Sequence, residues 1–300
     1  MILVTEFMDE AWVDWLRERA EVRHEPDLAD RPDDLLRLAR GAEALVVRNR
    51  TEVRGALLDA GFRCVGRLGV GLDNIDLESC RARGIAVFPA TGANTLSVAE
   101  YVVTTAAMLL RGAYGLRGEM EAGAWPRAAA GEGREIAGRV LGLVGYGEIA
   151  RATAGLGRAL GMRVAAADPY ARDFEGAEEA TLDALLACAD VVSLHVPLTA
   201  ETRGMIGAAA IARMRPGAVV VNAARGGVVD EVALCAALRD GRLGGAALDT
   251  FAEEPLRDGA RFRGVPNLVL TPHVAGVTRE ANARVSEMTA RRVAAHLGLD

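Results

Sequence analysis

The stretch from Arg139 to Asp168 limits the fold more than any other part of the chain. An apolar run, Val140 to Val144, leads into the glycine turn GYGEIA. A helical stretch then runs to about Leu160, and a second apolar run ends at Asp168. This order predicts a strand, a tight turn, a helix and a second strand, which together make one βαβ unit of a parallel sheet.

Each part of this turn suits the binding of a dinucleotide. Gly145 allows the tight turn, and Gly147 has no side chain, so the backbone can approach a pyrophosphate closely. The N–H groups at the start of the helix, at Glu148 and Ile149, would face the phosphates together with the positive end of the helix dipole. Asp168, 23 residues after Gly145, would accept hydrogen bonds from the ribose hydroxyls. A carboxylate there repels a 2′-phosphate, so the sequence predicts NAD rather than NADP; the alternative is an ordinary βαβ turn with a surface aspartate.

The composition excludes several other classes of protein. The net charge of −6 favours neither a nucleic-acid nor an anionic membrane partner. Every basic residue is an arginine, which removes Schiff-base lysines and the lysine of P-loops. The four cysteines have neither CxxC nor metal-ligand spacing, so we expect free thiols, a reducing compartment and no metal. There is no signal-like start and no apolar stretch that could span a bilayer, so we expect a soluble, cytoplasmic protein.

Short apolar strands alternate with helices along the whole chain, which predicts parallel sheets covered by helices on both faces. Residues 1–95 make one such unit, and the region around the glycine turn makes a second. Residues 112–135 are rich in glycine and alanine and are expected to form a helix end plus a loop. The last helical stretch, Thr278 to Leu297, has no sheet of its own to cover, so we expect it to return to the first unit.

Three polar side chains follow apolar strands of the second unit, at the edge where open parallel sheets bind ligands. Arg225 lies in VVVNAARGG, where small neighbours let its guanidinium project into a cleft and bind a carboxylate with both arms. His273 follows LVLTP, and its imidazole can take and return a proton near neutral pH. Glu254 is a candidate to orient that ring, although its neighbour Glu253 could take the same role.

These groups suffice for one reaction, the interconversion of a 2-hydroxy acid and a 2-oxo acid with NAD as the hydride carrier. His273 would take the hydroxyl proton, and Arg225 would hold the substrate carboxylate. His195 ends another strand beside the nucleotide region, and we expect it to line the cofactor pocket with Pro197. The alternative from a different class is a non-enzymatic, NAD-sensing binding protein of the same fold.

Several segments of the chain resemble a known family. GRLGVGLDNIDLE, GANTLSVAEYV, LGLVGYGEIAR, SLHVPLT, VNAARGGVVDE, AALDTFAEEP and LTPHVAG are similar, in this order, to segments of the D-isomer-specific 2-hydroxyacid dehydrogenases. The resemblance covers nearly the whole chain. It implies a Rossmann NAD-binding domain of residues 96–276, inserted into a flavodoxin-like substrate domain of residues 1–95 and 277–300. It also implies a homodimer formed through the NAD-binding domain.

The resemblance implies roles for individual residues as well. It assigns catalysis to Arg225, Glu254 and His273, because the family's glutamate directly precedes proline. The nicotinamide carboxamide would be held by Asp249. Further cofactor contacts are implied for Gly145, Gly147, Glu148, Ile149, Asp168, His195, Pro197, Ala223, Ala224, Arg225, His273 and Gly276. Substrate contacts are implied for Arg225 and, from the other domain, for Arg48, Asn49, Val70 and Gly71.

Within this family, the segments EFMDE, VVRNRTEV, GRLGVGLDNID and PATGANT most resemble the sulfolactate dehydrogenase branch. That resemblance implies a small dianionic substrate such as sulfolactate or phosphoglycerate. Arg48, Arg50 or Arg134 would face the second anion. A sulfonate, a phosphate and a carboxylate would all satisfy the same arginines.

Overall fold

The computed structural model describes residues 1–299, and the chain divides into two compact units. The first unit joins Met1–Asn94 to the chain from Val277 onward, and the second is Thr95–Gly276. Each unit is a parallel sheet covered by helices, so the predicted α/β class with two doubly wound sheets is confirmed. The second unit begins at Thr95, which is also the first residue of its first helix.

Within the described residues, the first unit holds five strands and four α-helices, with short 3₁₀ helices at Leu28–Asp30 and Gly55–Ala60. The strands are β1 (Ile2–Val4), β2 (Val22–His24), β3 (Ala44–Val47), β4 (Cys64–Arg67) and β5 (Ala86–Pro89). The helices are α1 (Glu10–Arg17), α2 (Pro32–Ala39), α3 (Leu77–Ala82) and α11 (Arg279–Leu297). The strands are parallel in the order β2-β1-β3-β4-β5, which is the flavodoxin-like order.

Both faces of this sheet are buried, because alternate residues of a strand point to opposite sides. In β3, Leu45 and Val47 pack with residues of α2 and α3, whereas Ala44 and Val46 pack with residues of α1 and α11. The chain order reverses between β1 and β3, which pair directly. The loops after these two strands therefore meet at the carboxyl edge of the sheet, where sheets of this kind bind ligands.

The second unit holds seven strands and seven α-helices, with short 3₁₀ helices at Ala113–Gly115 and Ala260–Phe262. The strands are β6 (Val140–Val144), β7 (Arg163–Ala167), β8 (Glu178–Glu179), β9 (Val191–Leu194), β10 (Ala218–Asn222), β11 (Leu243–Leu248) and β12 (Leu268–Leu270). The helices are α4 (Thr95–Arg111), α5 (Arg117–Glu121), α6 (Arg127–Ala130), α7 (Glu148–Ala159), α8 (Leu182–Cys188), α9 (Ala208–Arg213) and α10 (Glu231–Arg239). None of the helices in residues 1–299 is both long and apolar enough to cross a bilayer.

The seven strands are parallel in the order β12-β11-β10-β9-β6-β7-β8, a Rossmann order that reverses between β6 and β9. Alternation along β10 again separates two layers of core. Val219 and Val221 pack with residues of α4 and α7, and Val220 packs with residues of α8, α9 and α10. This arrangement places the glycine turn after β6 beside the end of β9.

Residues 112–135 contain more regular structure than the sequence predicted. The expected loop includes the short helices α5 and α6, neither of which buries a residue. The segment leaves and rejoins the domain at one point, because the N–H of Arg134 donates to the carbonyl of Leu110 at 2.9 Å. A helix of four or five residues without a buried face has no hydrophobic period, so its sequence gives no helical signal.

Candidate active site

The glycine turn after β6 leaves open space in front of a helix N-terminus. Gly145 has a φ of +89°, and a β-carbon there would lie 2.6 Å from the carbonyl oxygen of His195, so only glycine fits. A β-carbon on Gly147 would meet no atom within 4 Å. The first residues of α7, Glu148 and Ile149, are exposed or half-buried there. Their N–H groups have no partner within a helix, which makes the turn a suitable site for an anion.

The carboxylate of Asp168 is fixed beside this turn by three backbone N–H groups. Oδ2 accepts a hydrogen bond from the N–H of Tyr146 at 2.8 Å. Oδ1 accepts from the N–H groups of Tyr170 and Ala171 at 2.8 and 3.2 Å. The side chain is half-buried, and Oδ2, which accepts only one of these bonds, retains capacity for a hydroxyl donor. The open turn and this carboxylate fit the pyrophosphate and ribose of a dinucleotide.

His195 lies at the end of β9, next to the glycine turn. Its N–H donates to the carbonyl of Val144 at 2.7 Å, and its Nε2 lies 3.0 Å from Oγ of Ser193. Burial lowers the pKa of His195 to about 4, so the ring is neutral at physiological pH. Pro197 follows on an exposed loop, where its carbonyl accepts from the hydroxyl of Thr202 at 2.6 Å.

His273 and Glu254, two of the candidate catalytic residues, are in direct side-chain contact. Nδ1 of His273 lies 2.7 Å from Oε2 of Glu254, and Oε1 accepts from the N–H of Phe251 at 3.0 Å. Burial would raise the pKa of Glu254. The hydrogen bonds from His273 and Phe251, with the charges of His273 and Arg225, outweigh this effect and lower the pKa. Of the two glutamates left open by the sequence, Glu254 is the one that contacts the His273 side chain.

Asp249, which follows β11, holds the loop that carries His273 (residues 271–275, the His273 loop). Its side chain is buried, and Oδ1 accepts from the hydroxyl of Thr271 at 2.6 Å and from the N–H of Val274 at 2.8 Å. Oδ2 accepts from the N–H of Ala275 at 2.8 Å. The carbonyl of Asp249 accepts from the N–H of His273, also at 2.8 Å. These bonds keep His273 at a φ of +56°, a conformation that residues other than glycine seldom adopt.

Arg225 follows β10 in a tight turn that neighbouring residues fix. Asn222 accepts from the N–H of Ala224 and donates to the carbonyl of Arg225, at 3.1 and 3.0 Å. A β-carbon on Gly226 would lie 1.7 Å from the carbonyl oxygen of Phe251, so the loops after β10 and β11 pack backbone to backbone. The remaining predicted cofactor residues of this edge are half-buried: Ala223, Ala224 and Gly276.

In the first unit, a buried glutamate organises the loop after β3 (residues 48–51, the Arg48 loop). Oε1 of Glu6 accepts from the N–H groups of Arg48 and Thr51 at 2.8 and 3.0 Å, and Oε2 accepts from that of Arg50 at 3.1 Å. The guanidinium of Arg48 donates to Oδ1 of Asn282 at 2.7 Å. Burial lowers the pKa of Arg48, and the charge of Glu6 partly offsets this effect.

Asn74 connects the two loops of this unit that the sequence singles out. Its side-chain amide donates to two carbonyl oxygens of the Arg48 loop at 3.0 and 2.7 Å. Asn74 itself belongs to the loop that follows Val70 and Gly71, which are both half-buried. Asn49 is exposed. The four predicted substrate residues of the first unit thus lie on two loops that one side chain ties together.

The three arginines proposed for a second anion differ in their surroundings. Arg50 is already compensated, because its guanidinium lies 2.7 Å from the carboxylate of Asp30 and 3.6 Å from that of Glu6. Arg48, in contrast, forms no side-chain ion pair with residues 1–299. Its half-buried guanidinium is therefore the better candidate for an anionic ligand.

Arg134 lies in the second unit, away from that unit's candidate catalytic residues. Its Nη2 donates to the carbonyl of Gly217 at 2.5 Å, just before β10 begins. Arg225 follows the opposite, carboxyl end of the same strand. Within one chain, Arg134 and Arg225 therefore lie at opposite edges of one sheet.

Four residues that contact these candidates or their loops are not singled out by the sequence analysis: Glu6, Asn74, Tyr101 and Thr271. Glu6 contacts a loop 42 positions away, and Tyr101 contacts Thr271 across 170 positions. Glu6 could have been noticed because it follows the first strand at the carboxyl edge, where polar residues collect.

Comparison with known proteins shows the family and the fold of the chain. The sequence model of the family described as "D-isomer specific 2-hydroxyacid dehydrogenase, NAD binding domain" matches residues 103–275. An (S)-sulfolactate dehydrogenase from Chromohalobacter salexigens is 50% identical over 99% of this chain and 98% of its own length. A D-3-phosphoglycerate dehydrogenase from Synechocystis sp. is 34% identical over 97% of this chain, but the chain spans only about half of that enzyme, 53%.

A solved structure supports the same assignment. D-lactate dehydrogenase from Aquifex aeolicus, in complex with NAD and lactic acid, superimposes with a TM-score of 0.88 at 27% identity and covers 99% of this chain and 96% of its own. These relatives are named as enzymes and give the NAD-sensing alternative no support. The glycine turn, its carboxylate and the matching sequences together show that the chain is an NAD-dependent oxidoreductase of the D-isomer-specific 2-hydroxyacid dehydrogenase family.

Proposed function

We propose that this enzyme interconverts a small dianionic 2-hydroxy acid and its 2-oxo acid, and that sulfolactate is the substrate. The observation that carries the proposed chemistry is the 2.7 Å contact between Nδ1 of His273 and the carboxylate of Glu254. The choice of sulfolactate is supported by the 50% identity to an enzyme named for that substrate.

In this proposal His273 moves the proton. Because Nδ1 faces a carboxylate, which can only accept, Nδ1 carries the hydrogen and Nε2 is left to take the proton of the substrate hydroxyl. Glu254 then stabilises the positive charge on the ring, and Arg225 binds the substrate carboxylate through its guanidinium. Bound NAD supplies the hydride acceptor, so the C–H and O–H bonds of the alcohol are replaced by a carbonyl group.

We assign NAD to the carboxyl edge around β6, β7 and β9. Gly145, Gly147 and the N–H groups of Glu148 and Ile149 would hold the pyrophosphate, and Asp168 would hold the ribose. The neutral ring of His195 suits a cofactor wall, because burial keeps it uncharged. The other residues proposed to line the cofactor site are Pro197, Ala223, Ala224, Asp249 and Gly276.

For the second anion of the substrate we propose Arg48, with support from Asn49 and from the backbone of Val70 and Gly71. Arg48 is half-buried, and its guanidinium contacts the neutral Asn282 rather than a carboxylate. A dehydrated cation without an acidic partner binds an anion more strongly than a solvated one. A sulfonate, with three acceptor oxygens, can fill such a site.

The test is the rate of NADH formation with sulfolactate, phosphoglycerate, malate, lactate and glycerate, each in both configurations. We expect the highest kcat/KM with sulfolactate. Arg48→Met should raise KM for sulfolactate about 100-fold, the value of a lost charge-assisted pair, and leave turnover of lactate nearly unchanged. Arg37→Met is the matched control, because Arg37 is an exposed arginine of the same unit that pairs with Asp34.

The outcomes separate the two halves of the proposal. Equal kcat/KM for lactate and sulfolactate would refute the dianionic substrate but not the chemistry. Full activity in His273→Ala would refute the chemistry. Loss of activity in His273→Ala, with NAD still bound, would support the roles given to His273 and Glu254.

We also propose that the enzyme is a homodimer formed through residues 112–135. This segment exposes Tyr114, Met120 and Trp125, at 70%, 45% and 75% of their surface. Its helices bury nothing within the chain, so a partner must cover these side chains if they contribute to stability. A second copy is the proposed partner because the family resemblance implies dimerisation through this domain.

Light scattering during size-exclusion chromatography tests the dimer. Wild type should elute as a dimer, and Trp125→Glu should shift the mass to that of one chain. Tyr170→Glu, at an aromatic residue of the same unit that is 76% exposed, is the control and should leave the mass unchanged. A monomeric wild type, or a Trp125→Glu variant that stays dimeric, would refute this interface.

A reducing, cytoplasmic compartment is the last part of the proposal. Cys64, Cys80 and Cys235 are buried, and none is in a disulfide. Burial raises the pKa of Cys64 to about 11, so this thiol stays protonated and unreactive. Thiol titration of the denatured protein from its native cells should find free cysteines; disulfides there would refute this assignment.

A further inference from the structure

A chain of hydroxyl groups connects α4 to the His273 loop. Oη of Tyr101 lies 2.7 Å from Oγ1 of Thr271, and Oγ1 of Thr271 lies 2.6 Å from Oδ1 of Asp249. The donor and the acceptor of each of these hydrogen bonds follow from the number of hydroxyl hydrogens. A carboxylate can only accept, so Thr271 gives its single hydroxyl hydrogen to Asp249. Tyr101 must then donate to Thr271.

The tyrosine is suited to stay a donor. Its side chain is half-buried, and burial raises its pKa, so the hydroxyl keeps its hydrogen at neutral pH. The ring packs against the core between α4 and the sheet, where it is held independently of the hydroxyl. Removing the oxygen alone therefore removes the bond to Thr271 and leaves the packing of the ring in place.

The other end of this chain determines where His273 lies. Through its carboxylate and its carbonyl, Asp249 bonds to four residues of the His273 loop, and one of these bonds, from Thr271, is the link to Tyr101. The loop holds His273 at a φ of +56°, which unconstrained residues other than glycine rarely occupy. We expect a loop held in this backbone conformation to relax when one of the hydrogen bonds that hold it is lost.

We infer that Tyr101 is a positioning residue for His273, which it holds in place through Thr271 and Asp249. Tyr101 does not need to touch substrate or cofactor in this role. Its hydroxyl fixes the rotamer of Thr271, and Thr271 and Asp249 fix the backbone of the histidine. This inference rests on the proposed role of His273 in moving the proton.

Steady-state kinetics of Tyr101→Phe tests the inference. We expect kcat to fall about tenfold, because a displacement of well under 1 Å at a reacting group is enough for such a loss. KM for NAD should stay within about twofold, since the glycine turn and Asp168 are untouched. Thr271→Val should lower kcat at least as far, and Thr271→Ser, which keeps the hydroxyl, should restore most of it.

The double variant identifies the route of the effect. Once Thr271 has lost its hydroxyl, the hydroxyl of Tyr101 has no partner there, so Tyr101→Phe with Thr271→Val should be no slower than Thr271→Val alone. Thr153→Val is the control for lost stability. It removes one buried hydroxyl from the same domain, where Thr153 donates to the carbonyl of Ile149 at 2.8 Å, and should leave kcat unchanged.

Each outcome bears on one hypothesis. Wild-type kcat in Tyr101→Phe, or multiplying losses in the double variant, would overturn the inference. A parallel rise in KM for NAD would show a general disturbance of the domain and would overturn it as well. If His273→Ala kept full activity, the proposed function would fail and this inference with it, whereas an inactive His273→Ala beside a wild-type kcat in Tyr101→Phe would overturn the inference alone.

Discussion

Replacing Glu6 with glutamine tests how the first unit holds its proposed anion ligand. The carboxylate of Glu6 is 2% exposed and accepts three backbone N–H groups of the Arg48 loop. Glutamine has almost the same shape, but one of its two terminal atoms donates instead of accepting. The change therefore keeps the packing and alters only charge and hydrogen bonding.

The cost can be worked from these bonds. The amide oxygen can still accept from Arg48 and Thr51, now at the strength of neutral bonds, while the amide nitrogen opposes the N–H of Arg50. Loss of one charge-assisted bond costs about 1.5–3 kcal/mol, and weakening of two others adds about 1 kcal/mol, so we expect roughly 3 kcal/mol of destabilisation. For a domain of this size, that lowers the midpoint of thermal unfolding by about 10 °C.

Calorimetry and steady-state kinetics should be measured on the same preparations. We expect an earlier unfolding transition of the first unit and a KM for the hydroxy acid raised about tenfold, with KM for NAD unchanged. Glu18→Gln is the matched control, because Glu18 is 73% exposed and pairs with Arg19 at the surface, where such pairs contribute about 0.5 kcal/mol. An unfolding midpoint and a KM equal to those of wild type would refute the role given to Glu6.

Two further predictions concern the cofactor edge. Because the pKa of His195 is lowered to about 4 in the folded protein, the unfolded chain binds more protons between pH 6.5 and 4, and stability should fall by about 1–3 kcal/mol as pH drops through this window. Urea unfolding at several pH values measures this fall in the free energy of unfolding. If the free energy of His195→Asn depended on pH as that of wild type does, His195 would not be the cause. Asp168→Ala should raise the ratio of kcat/KM for NADP to that for NAD at least about tenfold, since the carboxylate that repels a 2′-phosphate is gone. An unchanged ratio would show that other groups determine the preference.

The cofactor site could be predicted from the sequence because its parts are close together along the chain. Gly145, Gly147 and Asp168 belong to one βαβ unit, where local spacing determines spatial arrangement. The pairing of His273 with Glu254 rather than Glu253 could not be predicted from strand ends alone. The direction of a side chain within an irregular loop depends on contacts such as the bond from Phe251, which no periodicity records.

Elements at the margins of the sheets were missed for a related reason. The strands β2 and β8 have three and two residues and lie at sheet edges, so neither shows the apolar run of a central strand. Long-range polar contacts were missed as well. Tyr101 lies in an apolar helix. Its hydroxyl contacts the hydroxyl of Thr271, 170 positions away, and the two come together only once the sheet has formed.

Two buried aspartates of the second unit lie at opposite edges of one sheet, and we expect one to affect stability alone and the other to affect catalysis as well. Asp190 precedes β9, is 3% exposed, and accepts from the N–H of Val140 at 2.9 Å, with Arg215 at 3.4 Å. Asp249 follows β11 and is 1% exposed. Both hold backbone N–H groups, but only Asp249 holds the loop of His273. An open parallel sheet places ligand chemistry at its carboxyl edge, so the amino edge should affect the fold alone.

The same substitution at both positions tests this separation. Asp190→Asn should lower the free energy of unfolding by about 2–3 kcal/mol, because an arginine pair and a charge-assisted bond are lost in a buried place, while kcat stays within about twofold of wild type. Asp249→Asn should cost a similar amount of stability and also lower kcat at least about 100-fold, since an amide nitrogen must then oppose a donor of the His273 loop. Urea unfolding and kcat at saturating substrate measure both. If kcat fell as far in Asp190→Asn as in Asp249→Asn, the prediction would be refuted. The activity would then depend on the stability of the whole sheet rather than on the edge that carries His273.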